Sequence, residues 1–264
     1  MSSLKDKKLF LLDMDGTIYL GDRIFDGTID FLNYVKSIGG KYMFLTNNSS
    51  KSVEKYIEKL GKLGIKAVKD DFTTSAQATG LYLQKNNKDD LIYVFGTKSL
   101  KEELLLYGLN ITDKLEDGIN CLVMGFDTEL TFQKLEDACI LLNQGVDYIA
   151  TNPDWVCPTE YGYVPDCGSV STMLYNATKR LPKFIGKPEP TMVELAVEKT
   201  GFSKEETILL GDRVYTDIAS GYNAGVDTTL MLSGESTIDD LKDFDFRPTF
   251  IYENIRELYN DLIK

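Results

Sequence analysis

Leu9-Phe10-Leu11-Leu12-Asp13-Met14-Asp15-Gly16-Thr17 is the stretch that decides the fold. Four consecutive apolar residues form the pattern of a strand buried on both faces, as in the middle of a parallel sheet. Gly16 lets the chain leave that strand sharply, which sets Asp13 and Asp15 at its carboxyl end. In open α/β sheets ligands bind along that edge. An Asp-Gly turn would account for this segment taken alone. Three further stretches with matching chemistry decide against so plain a reading.

Downstream, Ile18 to Asp26 reads as a short flap, followed by a helix with Ile29, Leu32, Val35 and Ile38 on its apolar face and Gly39-Gly40 as its stop. The strand Tyr42-Met43-Phe44-Leu45 ends in Thr46-Asn47-Asn48, and Val53, Ile57 and Leu60 mark the next helix. This βαβα rhythm with polar strand ends predicts a doubly wound, mostly parallel α/β sheet. From about Thr74 the rhythm continues without chemistry at the strand ends: Leu81, Tyr93–Phe95, Cys121–Phe126 and Tyr148–Ala150 read as strands, and Leu100–Tyr107 and Thr131–Asn143 as helices. A long irregular segment is expected from Thr151 to Gly168, holding Trp155, Tyr161 and Tyr163. Residues 78–182 therefore read as an inserted α/β domain, with 1–77 and 183–264 forming the core. The first fold is expected to resume at Phe184-Ile185-Gly186-Lys187-Pro188. It continues with a helix opened by Pro190, the strand Ile208-Leu209-Leu210-Gly211-Asp212, a helix beginning at Asp217, the strand Thr229–Leu232 and a closing strand and helix.

Composition narrows the function. The 264 residues carry a formal charge of −12, which argues against a nucleic-acid polymer as partner. No apolar run reaches membrane-span length, and the charged start Met1-Ser2-Ser3-Leu4-Lys5 lacks a signal-peptide core, so a cytoplasmic protein with no membrane partner is expected. Cys121, Cys139, Cys157 and Cys167 show no CxxC spacing and read as free thiols. The chain has no histidine, which removes Ser-His-Asp hydrolysis, histidine-ligated zinc and phosphohistidine chemistry. Carboxylates remain in quantity, and they suit a hard, oxygen-ligated cation such as magnesium.

Asp13/Asp15, Thr46-Asn47, Lys187 and Asp212/Asp217 thus mark four strand ends. A phosphate monoester dianion there, beside Asp13, Asp212 and Asp217, faces only one lysine, so holding it requires a divalent cation. With that charge cancelled, a carboxylate can attack phosphorus to give an aspartyl-phosphate. A second carboxyl two residues away could protonate the leaving oxygen and later deprotonate water. The Thr46 hydroxyl and Asn47 amide would hold phosphoryl oxygens, since phosphoryl transfer depends on positioning and charge stabilisation.

Asp13-Met14-Asp15-Gly16-Thr17, Thr46-Asn47-Asn48, Gly186-Lys187-Pro188 and Gly211-Asp212-Arg213-Val214-Tyr215-Thr216-Asp217 resemble the four ordered motifs of the haloacid dehalogenase-like phosphatases. The long insert, with Thr151-Asn152-Pro153-Asp154 and Gly168-Ser169, resembles the type IIA cap of the NagD and p-nitrophenyl phosphatase branch. The resemblance implies a Rossmann-like core with an inserted cap, and a magnesium-dependent phosphatase acting on a small phosphorylated metabolite. It implies Asp13 as nucleophile and Asp15 as general acid/base. Asp13, the Asp15 main-chain carbonyl and Asp212 would ligate magnesium, with Asp217 ligating or supporting through water, and Thr46, Asn47 and Lys187 would bind the phosphoryl group. Caps of this branch often pair, which leaves a homodimer through the cap open.

Duller roles exist for each residue singly. Asp217 could be a helix-start acid, Asn47 and Asn48 turn residues, Lys187 a solvated loop lysine, and Trp155, Tyr161 and Tyr163 packing for an irregular loop. Arg213 could neutralise substrate or pair with an acid. Rival functions are a phosphotransferase or mutase with the same chemistry, and a phospho-acceptor signalling module, against which the insert counts. Neither GxGxxG nor a Walker A sequence is present, so dinucleotide binding is disfavoured.

Overall fold

Leu9–Leu12 forms a strand in which every residue is buried, paired in parallel with Lys41–Thr46 on one side and Thr207–Gly211 on the other. The computed structural model describes residues 3–159 and 161–264. Met1 and Ser2, at the head of the charged N-terminal run, and Glu160, within the expected irregular segment, lie outside the described residues. By internal contacts the chain divides into two units: one takes the chain up to Thr46, Val53–Thr73 and Lys187–Lys264, the other Asn47–Ser52 and Thr74–Gly186.

The first unit is built on a six-stranded sheet in the order Phe250–Tyr252, Asp227–Met231, Thr207–Gly211, Leu9–Leu12, Lys41–Thr46, Phe72–Thr74. The first five are mutually parallel, so their carboxyl ends share one edge. Side-chain alternation divides the buried strand residues between two faces. Phe10, Leu12, Tyr42, Phe44, Ile208 and Leu210 join a core with Phe31, Leu32 and Val35 of the helix Thr28–Ser37 and Ile255, Leu258 and Leu262 of the helix Ile255–Leu262. The helix Thr191–Thr200 packs against the strands Leu9–Leu12 and Lys41–Thr46 and buries Met192, Val193 and Ala196. Each Leu, Ile, Val, Phe or Met side chain removed from water in this way contributes about 1.5–3 kcal/mol. Helices on both faces of a mainly parallel sheet make this the doubly wound α/β architecture expected above.

The second unit carries a five-stranded parallel sheet in the order Lys183–Phe184, Asp147–Ala150, Ile119–Met124, Leu91–Phe95, Asn110–Thr112. Its core joins Tyr93, Phe95, Leu122 and Met124 to Ala138, Leu141 and Leu142 of the helix Phe132–Gln144 and Leu174 of the helix Cys167–Thr178. Gly145 ends the former helix in the left-handed region, at φ 88°.

Four expectations change. Ile29 is exposed, while Phe31, about 200° further round the helix, enters the core in its place. Leu81 lies in the helix Ser75–Asn86 rather than in a strand. There Thr74 Oγ1 accepts from the Gln77 amide and Gln77 Oε1 from the Thr74 amide, a reciprocal cap that starts a helix firmly. The segment from Thr151 to Gly168 contains an antiparallel hairpin, Val156–Thr159 with Gly162–Pro165. The strand Lys183–Phe184 does not resume the first sheet; it pairs with Asp147–Ala150 in the second. Two residues of strand make too short a pattern to declare their partner.

Candidate active site

Parallel register delivers the acids. Asp13 follows Leu12 directly, and its amide donates to Leu210 O at 2.9 Å, which ties the end of that strand to the neighbour leading into Asp212. Asp217 lies one turn further, in the π-helical turn Val214–Ile218, where its Oδ2 accepts from the Arg213 amide at 3.1 Å. One carboxylate oxygen from each of Asp13, Asp212 and Asp217 falls within 4.8 Å of the others. Asp217 is fully buried, Asp212 nearly so, and the Asp13 side chain is 16% exposed. Gly211 packs directly against Asp217, where a Cβ would collide with its carboxylate.

Lys187 Nζ sits 2.6 Å from Asp13 Oδ1 and 2.6 Å from Asp217 Oδ1, and 3.4 Å from Leu45 O. Burial alone would push this ammonium down; attraction to Asp13 and Asp217 outweighs it and holds the lysine charged, above its ordinary range. Burial, with Asp217 and Asp212 nearby, raises Asp13 well above the usual carboxylate range despite Lys187. Burial followed by repulsion from Asp217 lifts Asp212 to about 7.

Three acids against one lysine leave negative charge in excess, and Asp212 Oδ1 is buried without a hydrogen-bond partner. Such an atom is costly unless something binds it. The donors are all hard oxygens, so the residues fit a magnesium-like cation. The sign of the pH effect follows. Without metal, the native state holds a proton on Asp212 between the ordinary aspartate value and about 7 that the unfolded chain has lost. This group's contribution to metal-free stability therefore falls as pH rises through that window. Asp212→Asn is expected to raise the metal-free unfolding midpoint at pH 8 relative to wild type, and to change it far less at pH 4. Calorimetry at both pH values checks this; a lowered midpoint at pH 8 would contradict the assigned repulsion.

Asp15 stands apart from the acid trio. Its carboxylate is 46% exposed and lies 3.7 Å from Lys59 Nζ, which itself sits 3.9 Å above the Tyr19 ring. Tyr19 belongs to the hairpin Tyr19–Leu20 with Arg23–Ile24, the expected flap. Thr46 closes its strand at the same sheet edge and is buried. Asn47, also buried, begins the other unit, where its carbonyl accepts from Ser75 Oγ at 2.6 Å. Asn48 Oδ1 accepts from the Ser50 amide and hydroxyl, so it shapes a turn. In the second unit the Asn152 amide donates to Asp154 and Asp166, while Trp155, Tyr161 and Tyr163 are exposed. Arg213 pairs with Glu235 at 2.8 Å. Among the described residues the four cysteines form no disulfide, and Cys157 Sγ accepts from Asn48 Nδ2 at 3.8 Å.

The sequence reading missed Lys59 and the segment Ser233-Gly234-Glu235. Glu235 N donates to Asp212 Oδ2 at 2.7 Å, and Ser233 Oγ donates to Gly16 O at 2.7 Å. The available signal was a Ser-Gly pair directly after the apolar strand Thr229–Leu232, at the edge already marked by acids. Lys59 gave no signal, because a lysine on an amphipathic helix is the commonest surface residue.

Parallel strands that deliver buried acids and one buried lysine to a common edge define the class: an α/β fold with a buried acid–lysine cluster at the carboxyl ends of its strands. Residues 10–110 match the family model described as haloacid dehalogenase-like hydrolase, and residues 184–258 match a second of the same kind. The acid sugar phosphatase of Staphylococcus aureus strain MRSA252 is 35% identical over 261 residues, 99% of this chain and 100% of that protein. Among solved structures, the 4-nitrophenylphosphatase of Thermotoga maritima superposes with a TM-score of 0.92 at 39% identity, covering 98% of each chain. NagD from E. coli K-12 superposes with a TM-score of 0.86 at 30% identity, covering 95% of this chain and 98% of its own. The chain belongs to the haloacid dehalogenase-like hydrolases, in the branch of NagD and the p-nitrophenyl phosphatases. Among the described residues no helix is long and apolar enough to cross a membrane.

Proposed function

We propose that this enzyme is a magnesium-dependent phosphatase that hydrolyses small phosphomonoester metabolites in the cytoplasm, such as a sugar phosphate or nucleoside monophosphate, through an aspartyl-phosphate on Asp13. The observation that carries the reading is the Lys187 ammonium held between Asp13 and Asp217 beside an unpartnered Asp212 oxygen. The names of the relatives support the small substrate, since they include an acid sugar phosphatase and a 4-nitrophenylphosphatase.

In this reading Asp13, the Asp15 carbonyl, Asp212 and Asp217 hold the cation. When bound, magnesium supplies positive charge that screens the phosphoryl oxygens from the acids. Lys187, the Thr46 hydroxyl and the Asn47 amide bind those oxygens and align phosphorus with the Asp13 carboxylate. Asp13 attacks, the bond from phosphorus to the ester oxygen breaks, and Asp15 gives its proton to the departing alcohol. Asp15, now ionised, takes a proton from water as that water attacks phosphorus, and inorganic phosphate leaves with Asp13 restored. The exposure of Asp15 beside Lys59 suits a carboxyl that must reach both leaving group and solvent. The second unit, in this reading the cap, selects the alcohol portion of the substrate.

Phosphate release over a panel of phosphometabolites with magnesium present tests this directly. Chelation is expected to stop release, and added magnesium to restore it. Better restoration by zinc would contradict the all-oxygen ligand set. A new phosphate ester appearing in place of inorganic phosphate would make the enzyme a phosphotransferase.

A further inference from the structure

We infer that the loop Ser233-Gly234-Glu235 positions Asp212 for the cation, with Gly234 as the residue that admits the carboxylate; this rests on the cation site proposed above. The Asp212 side chain lies between two glycines. A Cβ built on Gly16 or on Gly234 would fall well inside contact distance of its carboxylate. Gly16 has φ 86°, so turn geometry also demands glycine there. Gly234 has no left-handed backbone: it is absent from the positive-φ glycines, so conformation does not require it. The three nearest atoms to its missing Cβ all belong to Asp212. Glycine at 234 is needed for proximity alone.

The same loop fixes which oxygen the acid presents. Glu235 N donates to Asp212 Oδ2 at 2.7 Å, leaving Oδ1 buried and without a protein partner. One oxygen held by the main chain and the other left for a ligand is the arrangement of an oriented metal carboxylate. The loop is tied down on several sides. Ser233 Oγ holds Gly16 O, the Ser236 amide donates to Asp212 O at 3.1 Å, and Val214 N donates to Ser236 Oγ at 3.2 Å. Glu235 also pairs with Arg213, the residue after Asp212, at 2.8 Å. A carboxylate so constrained loses little freedom when a cation binds, which raises affinity without adding a ligand.

Manganese binding to the whole chain, followed by the electron paramagnetic resonance of free Mn2+, tests this independently of turnover. Asp212→Asn is expected to lose binding. Gly234→Ala, which displaces the carboxylate, and Glu235→Pro, which removes the amide donor, are expected to weaken it about 10- to 100-fold. Ser233→Ala removes a single loop hydroxyl, so it retains the fold and gives a smaller drop. The metal-free stability of Ser233→Ala is expected to fall by no more than the loss of one hydrogen bond, which separates orientation of the acid from general damage. Wild-type manganese affinity in Ser233→Ala and in whichever of the other two loop variants folds, with binding lost in Asp212→Asn, would overturn the positioning role and leave the cation site standing. Wild-type affinity in Asp212→Asn would instead overturn the cation site, and this inference with it.

Discussion

Asp13→Asn is expected to reduce phosphate release by on the order of 10³-fold or more, the scale on which loss of an attacking group is felt. The amide is a poor nucleophile, yet it is nearly isosteric and can still accept from Lys187 Nζ, which lies 2.6 Å from Asp13 Oδ1. The fold should therefore survive. Circular dichroism and the urea midpoint should stay close to wild type, since the change removes charge from a site with excess acid. Rapid-quench labelling gives the sharper check. Wild type should trap phosphate covalently during turnover, and Asp13→Asn should trap none. Turnover at the wild-type rate in the variant would exclude Asp13 as the attacking group.

Lys187→Met is expected to have the second largest effect, on both stability and rate. The side chains are of similar length, so packing is largely conserved while the charge disappears. Lys187 is 3% exposed and bonds two carboxylates, one of them 1% exposed. Removing one partner of a buried ion pair typically costs about 3–5 kcal/mol, because the remaining charge is uncompensated. The acids can relieve part of that cost by taking up protons, so the loss should be smaller at pH 5 than at pH 8. Magnesium should recover part of it at pH 8 by binding only the native state. Turnover should fall roughly 10²- to 10³-fold, the usual consequence of losing one preorganised charge at the reacting group. Denaturant titrations at both pH values, with and without magnesium, measure the first effect. Equal stability of variant and wild type throughout would refute the ion-pair account.

The strand Leu9–Leu12 was legible because its pattern is local, four apolar residues followed by acids and a glycine, while its place at a functional edge needed the three matching stretches downstream. The helix Thr191–Thr200 was legible for a similar reason, with Pro190 at its head and Gly201 in the left-handed region at its end. Errors came where two local signals competed or where partners were distant. Leu81 was drawn toward a strand by its apolar neighbours, but it sits in a helix that the reciprocal Thr74–Gln77 cap starts and that runs on to Asn86. Ile29 satisfied an apolar spacing that Phe31, with more surface to bury, satisfies better.

Residue identity and local period by themselves determined the α/β alternation, the order of the four motifs and the family to which they belong. Tertiary structure alone decided which groups meet. Lys187 reaches Asp13 across 174 positions of chain and Asp217 across 30, after a strand that pairs in the other sheet. It also decided that Gly234 makes room for Asp212 and that one oxygen of that acid is buried without a hydrogen-bond partner. The physical reason is one of range. Backbone preference and hydrophobic period act over a few residues and can be read along the chain. Charge, desolvation and close packing act through space, and their partners are chosen only when the parallel strands come into register.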